Sequence, residues 1–316
     1  MELSCAIKKI KCMNKDNFKA YLAWISVCII WGTTYLAIRI GVEDIPPMLF
    51  AGVRWIIAGS IFIVGLRMTG KVLPKKENLK HIAVMGIAML GFGNGLVVVG
   101  EQWISSGLAA LLITTVPFWI VGMEYFMPAS PKINSTILIG LLTGLIGISL
   151  IFGSDWNDLF NTEYILGVLC IFGAVVAWSF GSVYSKYKKV GIHPLMSASI
   201  QMLIAGTIQT ALGLVLGEHN FISYTEEGLL SLVYLIVFGS ILGYGSYVYA
   251  IEHLPLSLVS TYAYVNPVIA VFLGWLILDE KIDLLIAAGA LVIIVGVFLV
   301  KHGTQKRTVI TPGNKL

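Results

Sequence analysis

The stretch from Trp31 to Gly59, WGTTYLAIRIGVEDIPPMLFAGVRWIIAG, holds the end of one apolar segment, an acidic turn with Pro46 and Pro47, and the start of a second apolar segment. A worn copy follows 147 residues later: Trp31 falls on Trp178, Arg39 on Lys186 and Pro47 on Pro194, with no gap. An aromatic, a cation and a proline kept at two spacings mark a duplicated unit. A second pair of stretches matches at an offset of 150. GLAALLITTVP (Gly107–Pro117) falls on SLVSTYAYVNP (Ser257–Pro267), and Gly93-Asn94-Gly95 on Gly243-Tyr244-Gly245.

The duplicated unit belongs in lipid. The 316 residues are 57% hydrophobic and 12% charged, about half the charge of a soluble domain. A bilayer core takes about 20 apolar residues per helix, and ten such segments follow one another. They run near Tyr21–Ile40, Pro47–Leu66, His81–Gln102, Ser106–Phe126, Ser135–Phe152, Tyr164–Lys186, Leu195–Leu216, Leu229–Glu252, Ser257–Leu278 and Asp283–Val300. The net charge of +4 does not point to nucleic acid, because the basic residues lie between the apolar segments. With the N-terminus inside, eighteen Lys and Arg fall on inner loops and ends, and only Arg39 and Lys281 fall outside. That asymmetry places both termini in the cytoplasm. The first apolar run is long enough to span, and no small-residue cleavage site follows it, so it reads as a span and not as a cleaved leader.

Five spans per half is an odd number, so the second half enters the membrane upside down. The expected fold is an all-α integral membrane protein of ten transmembrane helices, built as two inverted five-helix repeats. The expected layout is a basic cytoplasmic tail over 1–19, a first repeat over 20–153, a second over 154–302 and a cytoplasmic tail over 303–316. In secondary transporters of this plan the substrate site lies near the midplane, between the halves.

The chain also resembles the EamA family of the drug/metabolite transporter superfamily. Trp31, Gly32, Arg39, Pro47 and Arg54 sit where the family's opening pattern places them, and WSFGSVYSK, YAYVNP and LILDE fit its second half. Within the family, GNG…GEQWISSGLAA and STYAYVNPVIAVFLG look most like the YedA-like inner-membrane branch. The resemblance implies a multi-pass protein of the cell (inner) membrane that exports metabolites or amino acids. Two departures stand out. Met127-Pro128-Ala129-Ser130 replaces the Glu that often ends the fourth helix, and Glu101 stands where relatives often carry Lys.

Several polar and aromatic residues lie inside the apolar segments, where a polar group is costly unless it faces protein or water. Trp31, Asn94, Thr114, Trp178, Tyr244, Tyr264 and Asn266 are the expected lining of a central cavity. Pro117 and Pro267, expected to kink the fourth and ninth helices, supply its bend. The bland alternative is close helix packing through small residues. Arg54 and Glu101 are the coupling or ion-pair candidates. Arg54 is expected to pair with Glu43, Asp44 or Glu101 as an architectural strut.

No Walker-type phosphate loop, no G-x-S-x-G and no H-E-x-x-H is present, and the five histidines are scattered at segment ends. The sequence therefore points to a secondary transporter that takes a small-molecule substrate, works in the lipid bilayer, and uses no cofactor, metal, nucleic acid or ATP. A membrane-embedded enzyme, a channel-type pore and an importer or antiporter of the same fold are the alternatives. A homodimer is left open.

Overall fold

The computed structural model describes residues 15–104, 109, 112–128, 134–152, 162–223, 225–269 and 284–309. The expected junction at 153 and 154 lies outside the described residues, as do most of the two tails. Among the described residues the chain is helical, with no strand. The first half contains α1 (Lys15–Asp44), α2 (Pro47–Met68), α3 (Lys76–Gly100), α4 (Val116–Tyr125) and α5 (Ser135–Phe152). The second contains α6 (Thr162–Tyr187), α7 (Pro194–Val215), α8 (Glu226–His253), α9 (Leu256–Val259, helical again over 262–269) and α10 (Leu284–Val309).

Six helices, α1 to α3 and α6 to α8, are long and apolar enough to cross a bilayer, and α5 and α10 carry shorter apolar stretches. α1 and α3 begin earlier than their apolar windows, at Lys15 and Lys76. Lys, Glu, Ala and Leu are good helix formers and carry each helix past the apolar edge.

Equivalent helices of the two halves run antiparallel against each other. Along α2 and α7, Leu49 meets Gly213, Gly52 meets Gly206, and Gly59 meets Ser199 and Met202. Along α5 and α10, Gly140 meets Gly296 and Val300, and Gly147 meets Gly289 and Ile293. Antiparallel packing of equivalent helices requires the relating axis to run across the bundle, so the repeat is inverted. At Gly206 the approach is tight: a Cβ there would lie 2.8 Å from the Gly52 carbonyl oxygen and 2.8 Å from the Ile56 nitrogen. In lipid, such backbone proximity supplies the packing that a soluble core gains from excluding water.

The other long helices cross over: α1 packs along α8, and α6 along α3. The α5–α10 pair lies at the edge. Leu138, Ile139, Leu142 and Ile146 on one helix, and Leu291, Ile294 and Phe298 on the other, are exposed. These aliphatic faces suit contact with acyl chains.

Each third helix contains a π-helical segment, Ile87–Asn94 in α3 and Leu235–Tyr244 in α8. The two segments end at positions matched by the offset of 150. A π turn misaligns the backbone ladder and leaves carbonyls in need of donors. The Gln209 side chain donates to the carbonyls of Leu90 (3.0 Å) and Gly91 (3.2 Å). The Trp31 indole donates to that of Gly239 (3.2 Å). Each π segment is thus served by a helix of the opposite half.

Candidate functional site

A cavity of about 630 Å³, including the open space at its mouth, lies between the halves. Trp31, Thr34, Tyr35 and Ile38 of α1, Arg54 and Trp55 of α2, and Gly93, Asn94 and Val97 of α3 line it. Ile113, Val116, Ala174, Val175, Trp178 and Tyr262 complete the wall. The α1, α2 and α3 residues occupy the parts of their helices nearer Asp44, Pro47 and Gly100. Arg39 of α1 bonds Glu101 just past α3, so these helix ends lie together. The cavity therefore belongs to one half of the bundle's depth.

Trp31 forms its floor. Its ring meets Trp178 edge-on (5.3 Å, 75°), Tyr247 (5.2 Å) and Tyr262 edge-on (5.0 Å). Below this cluster the repeat-related positions are filled. Arg54, Asn94, Val97 and Tyr35 correspond by the two offsets to Gln201, Tyr244, Tyr247 and Ser182. All four of these are fully buried. The Tyr244 hydroxyl donates to the Gln201 amide oxygen, and the Gln201 amide nitrogen donates to Ser197 (2.9 Å). The Tyr247 hydroxyl bonds Ser182 (2.8 Å) and accepts from the Trp178 indole (3.1 Å). One half of the pseudo-symmetric interior is open, and its mate is packed shut with every one of these polar groups bonded.

Arg54 is 3% exposed. Its Nε donates to Ser240 Oγ (2.8 Å), its guanidinium lies 4.2 Å over the Trp55 ring, and Nη1 has no hydrogen-bond partner among the described residues. The expected strut is not formed. Glu43 lies 3.8 Å from Arg39, Asp44 accepts from the Thr225 hydroxyl, and neither carboxylate oxygen of Glu101 has a hydrogen-bond partner among the described residues. The reason is depth: Glu101 sits past the end of α3, level with Arg39, whose Nη1 donates to the Glu101 backbone carbonyl at 2.7 Å. Glu101 is nevertheless fully buried. Burial pushes its carboxyl up to about 8, and the nearby Arg39 charge pulls more weakly the other way.

The sequence profile of the EamA-like transporter family matches the chain twice, over residues 18–153 and 165–301. The chain belongs to the EamA-like transporter family. It is 35% identical over 253 residues to the "Uncharacterized inner membrane transporter YedA" of Escherichia coli (strain K12), covering 80% of each chain. It is 28% identical over 293 residues to the "Uncharacterized transporter YoaV" of Bacillus subtilis (strain 168), covering 92% of this chain and 99% of that one. A crystal structure of another protein superposes with a TM-score of 0.75 at 19% identity, over 91% of this chain and 98% of that one, and so shares the fold.

In this EamA-like transporter the structure brings Trp31, Asn94 and Trp178 to the cavity wall and leaves the other four expected lining residues off it. Tyr244 is part of the closed side. Tyr264 turns away toward α5, where its hydroxyl donates to the Leu141 carbonyl (3.1 Å) and its ring packs on Gly144. Asn266 lies behind the wall, its amide nitrogen donating to the carbonyls of Tyr262 (2.9 Å) and Cys28 (3.0 Å). Thr114 is buried in a turn. That turn at 114–115 also relieves Pro117, which opens a new helix instead of kinking one; its missing N–H needs no partner there. Asn94 accepts from the Trp55 indole (3.2 Å). Trp55, Tyr35 and Tyr262 were missed as lining residues, and Gln201 as part of the closed side. The signal for Gln201 was its place 147 residues after Arg54.

Proposed function

We propose that this EamA-like transporter is a secondary carrier of the cell (inner) membrane that moves a small organic metabolite outward by alternating access, without ATP. The observation that carries this reading is the unequal state of equivalent halves: an aromatic cavity beside Arg54 and Asn94, and its repeat mate closed around Gln201 and Tyr244. An inverted repeat can exchange the two conformations between its halves, which moves the opening from one face to the other around a midplane site. The basic asymmetry of the sequence supports an orientation with the open side outside. The similarity to YedA and YoaV, both named as transporters, supports the same reading.

Flux in proteoliposomes tests it, across amino acids, organic acids, sugars and drug-like cations, with and without a pH gradient. Saturable flux of at least one class is expected. Asn94→Ala should lower it; because Asn94 also accepts from the Trp55 indole of the neighbouring helix, flux is compared per amount of folded protein in the membrane. Non-saturable flux would indicate a pore.

A further inference from the structure

The cavity carries one formal charge, that of Arg54, and no Asp or Glu is among the residues lining it. No carboxylate of the described residues lies within 4 Å of that guanidinium; the ion pairs found among them are Arg39–Glu43 and Lys189–Glu252. A guanidinium this deep in a low-dielectric interior is strongly unfavourable unless an anion compensates it. The Trp55 ring face offsets part of that penalty, and Ser240 satisfies Nε. The Nη1–Nη2 edge makes no hydrogen bond among the described residues, and that edge is one of the two that can grip a carboxylate with two parallel bonds.

A second donor stands beside it. Asn94 uses its amide oxygen to accept from the Trp55 indole, which fixes the amide so that its NH₂ is left without a hydrogen bond among the described residues. Trp55 therefore touches both donors. The remaining wall is aromatic and aliphatic: Trp31, Tyr35, Trp178 and Tyr262, with Val97 and Ile113. Donors at one place and apolar surface elsewhere describe the ligand by complement.

We propose that the cavity binds organic monocarboxylates with a flat apolar body, the carboxylate gripped by Arg54 and Asn94 and the body held among the tryptophans and tyrosines. One positive charge matches a monoanion. A phosphate monoester brings nearly twice the charge, and an ammonium group finds no lining carboxylate. This deepens the transporter reading and rests on it for the direction and fact of movement, but not for binding.

The test uses the full chain in lipid nanodiscs and four compounds that share a phenyl ring: 3-phenylpropanoate, phenylalanine, 2-phenylethylamine and 3-phenylpropan-1-ol. Binding is read from quenching of tryptophan fluorescence. The propanoate should bind about tenfold or more tightly than the amine and the alcohol, and more tightly than the zwitterion. Arg54→Gln should weaken the propanoate about tenfold and leave the alcohol unchanged. Arg54→Lys, which keeps the charge and guards against a misfolded Gln variant, should retain the order of preference with weaker binding. Equal or tighter binding of phenylalanine or the amine, failure of the propanoate to bind, or wild-type affinity in a folded Arg54→Gln protein would overturn the assignment. Flux of labelled propanoate and phenylalanine in proteoliposomes separates the two readings. Anion binding with no flux of any compound sinks the carrier and leaves the anion site. Flux of the zwitterion or amine without anion binding does the reverse.

Discussion

Arg39 and Lys186, matched by the offset of 147, each hold the carbonyl end of the third helix in their own half, one at each end of the bundle. The two grips are unequal. Arg39 makes one such bond, to Glu101, and its side chain is 42% exposed beside Glu43. Lys186 donates to the carbonyls of Ile251 (2.7 Å), Leu254 (2.8 Å) and Glu252 (3.3 Å), and Lys189 pairs with the Glu252 carboxylate (2.6 Å). A cation at a helix C-terminus satisfies orphan carbonyls and complements the helix dipole. The better-made grip is at the closed side.

Lys186→Met should therefore loosen the closed side. A cysteine placed at Ser182, fully buried against Tyr247, should react several-fold faster with a thiol reagent in the Lys186→Met background. Arg39→Met should change that rate little. Equal reaction rates in wild type and Lys186→Met would remove the latch from the mechanism.

The side on which the cavity opens is checked by labelling in intact cells. A cysteine at Ser223, exposed in the loop between α7 and α8 where its backbone N–H donates to the Asp44 carbonyl, should react with an impermeant thiol reagent. One at Lys75, between α2 and α3, should be shielded. The reverse pattern would invert the orientation read from the eighteen-to-two distribution of basic residues.

The π segment of α3 depends on a side chain from α7. Gln209→Leu would leave the Leu90 and Gly91 carbonyls without their donor in a region water does not reach, at a cost of about 1–3 kcal/mol. Gln209→Glu keeps the shape but replaces the donor by an acceptor, so it should be the more damaging of the two. A thermal unfolding series in detergent measures both. If both variants melt with the wild type, α3 holds its π turn without help.

The helices and their inversion were legible because length, hydropathy and two matched offsets are properties of the whole segment. The face each helix turns to the cavity was not. Helices in lipid are apolar all round, so no amphipathic stripe marks the buried side. Tyr262 and Tyr264 show the consequence. They are two residues apart, about 200° around a helix, and the structure sends Tyr262 to the cavity and Tyr264 to Gly144 of α5. Both are buried tyrosines in one apolar segment, and composition cannot separate them. Arg54 was legible as a charge needing a partner, but depth decides partners. Glu101 lies level with Arg39, and a list of acidic residues carries no depth.

A pH dependence is expected from Glu101. Its carboxyl is buried and unbonded among the described residues, with Arg39 as its cationic neighbour and the Tyr35 hydroxyl on the facing helix. Burial raises its folded-state value from an ordinary 4.5 to about 8. The folded chain thus holds this proton more tightly than the unfolded chain. Stability from the group is complete below about 4.5 and is lost as pH rises through about 8. The melting temperature in detergent should fall by several degrees from about pH 5 to about pH 8, and Glu101→Gln, which mimics the protonated form, should flatten that slope and melt higher at pH 8. For the proposed carrier, the same proton is the coupling candidate. It lies one helical turn beyond Val97 of the cavity wall. Glu101→Gln should therefore keep flux down a substrate gradient and lose its response to a pH gradient. A Glu101→Gln protein with the wild-type slope in melting temperature and the wild-type response to the pH gradient would leave Glu101 an inert buried acid.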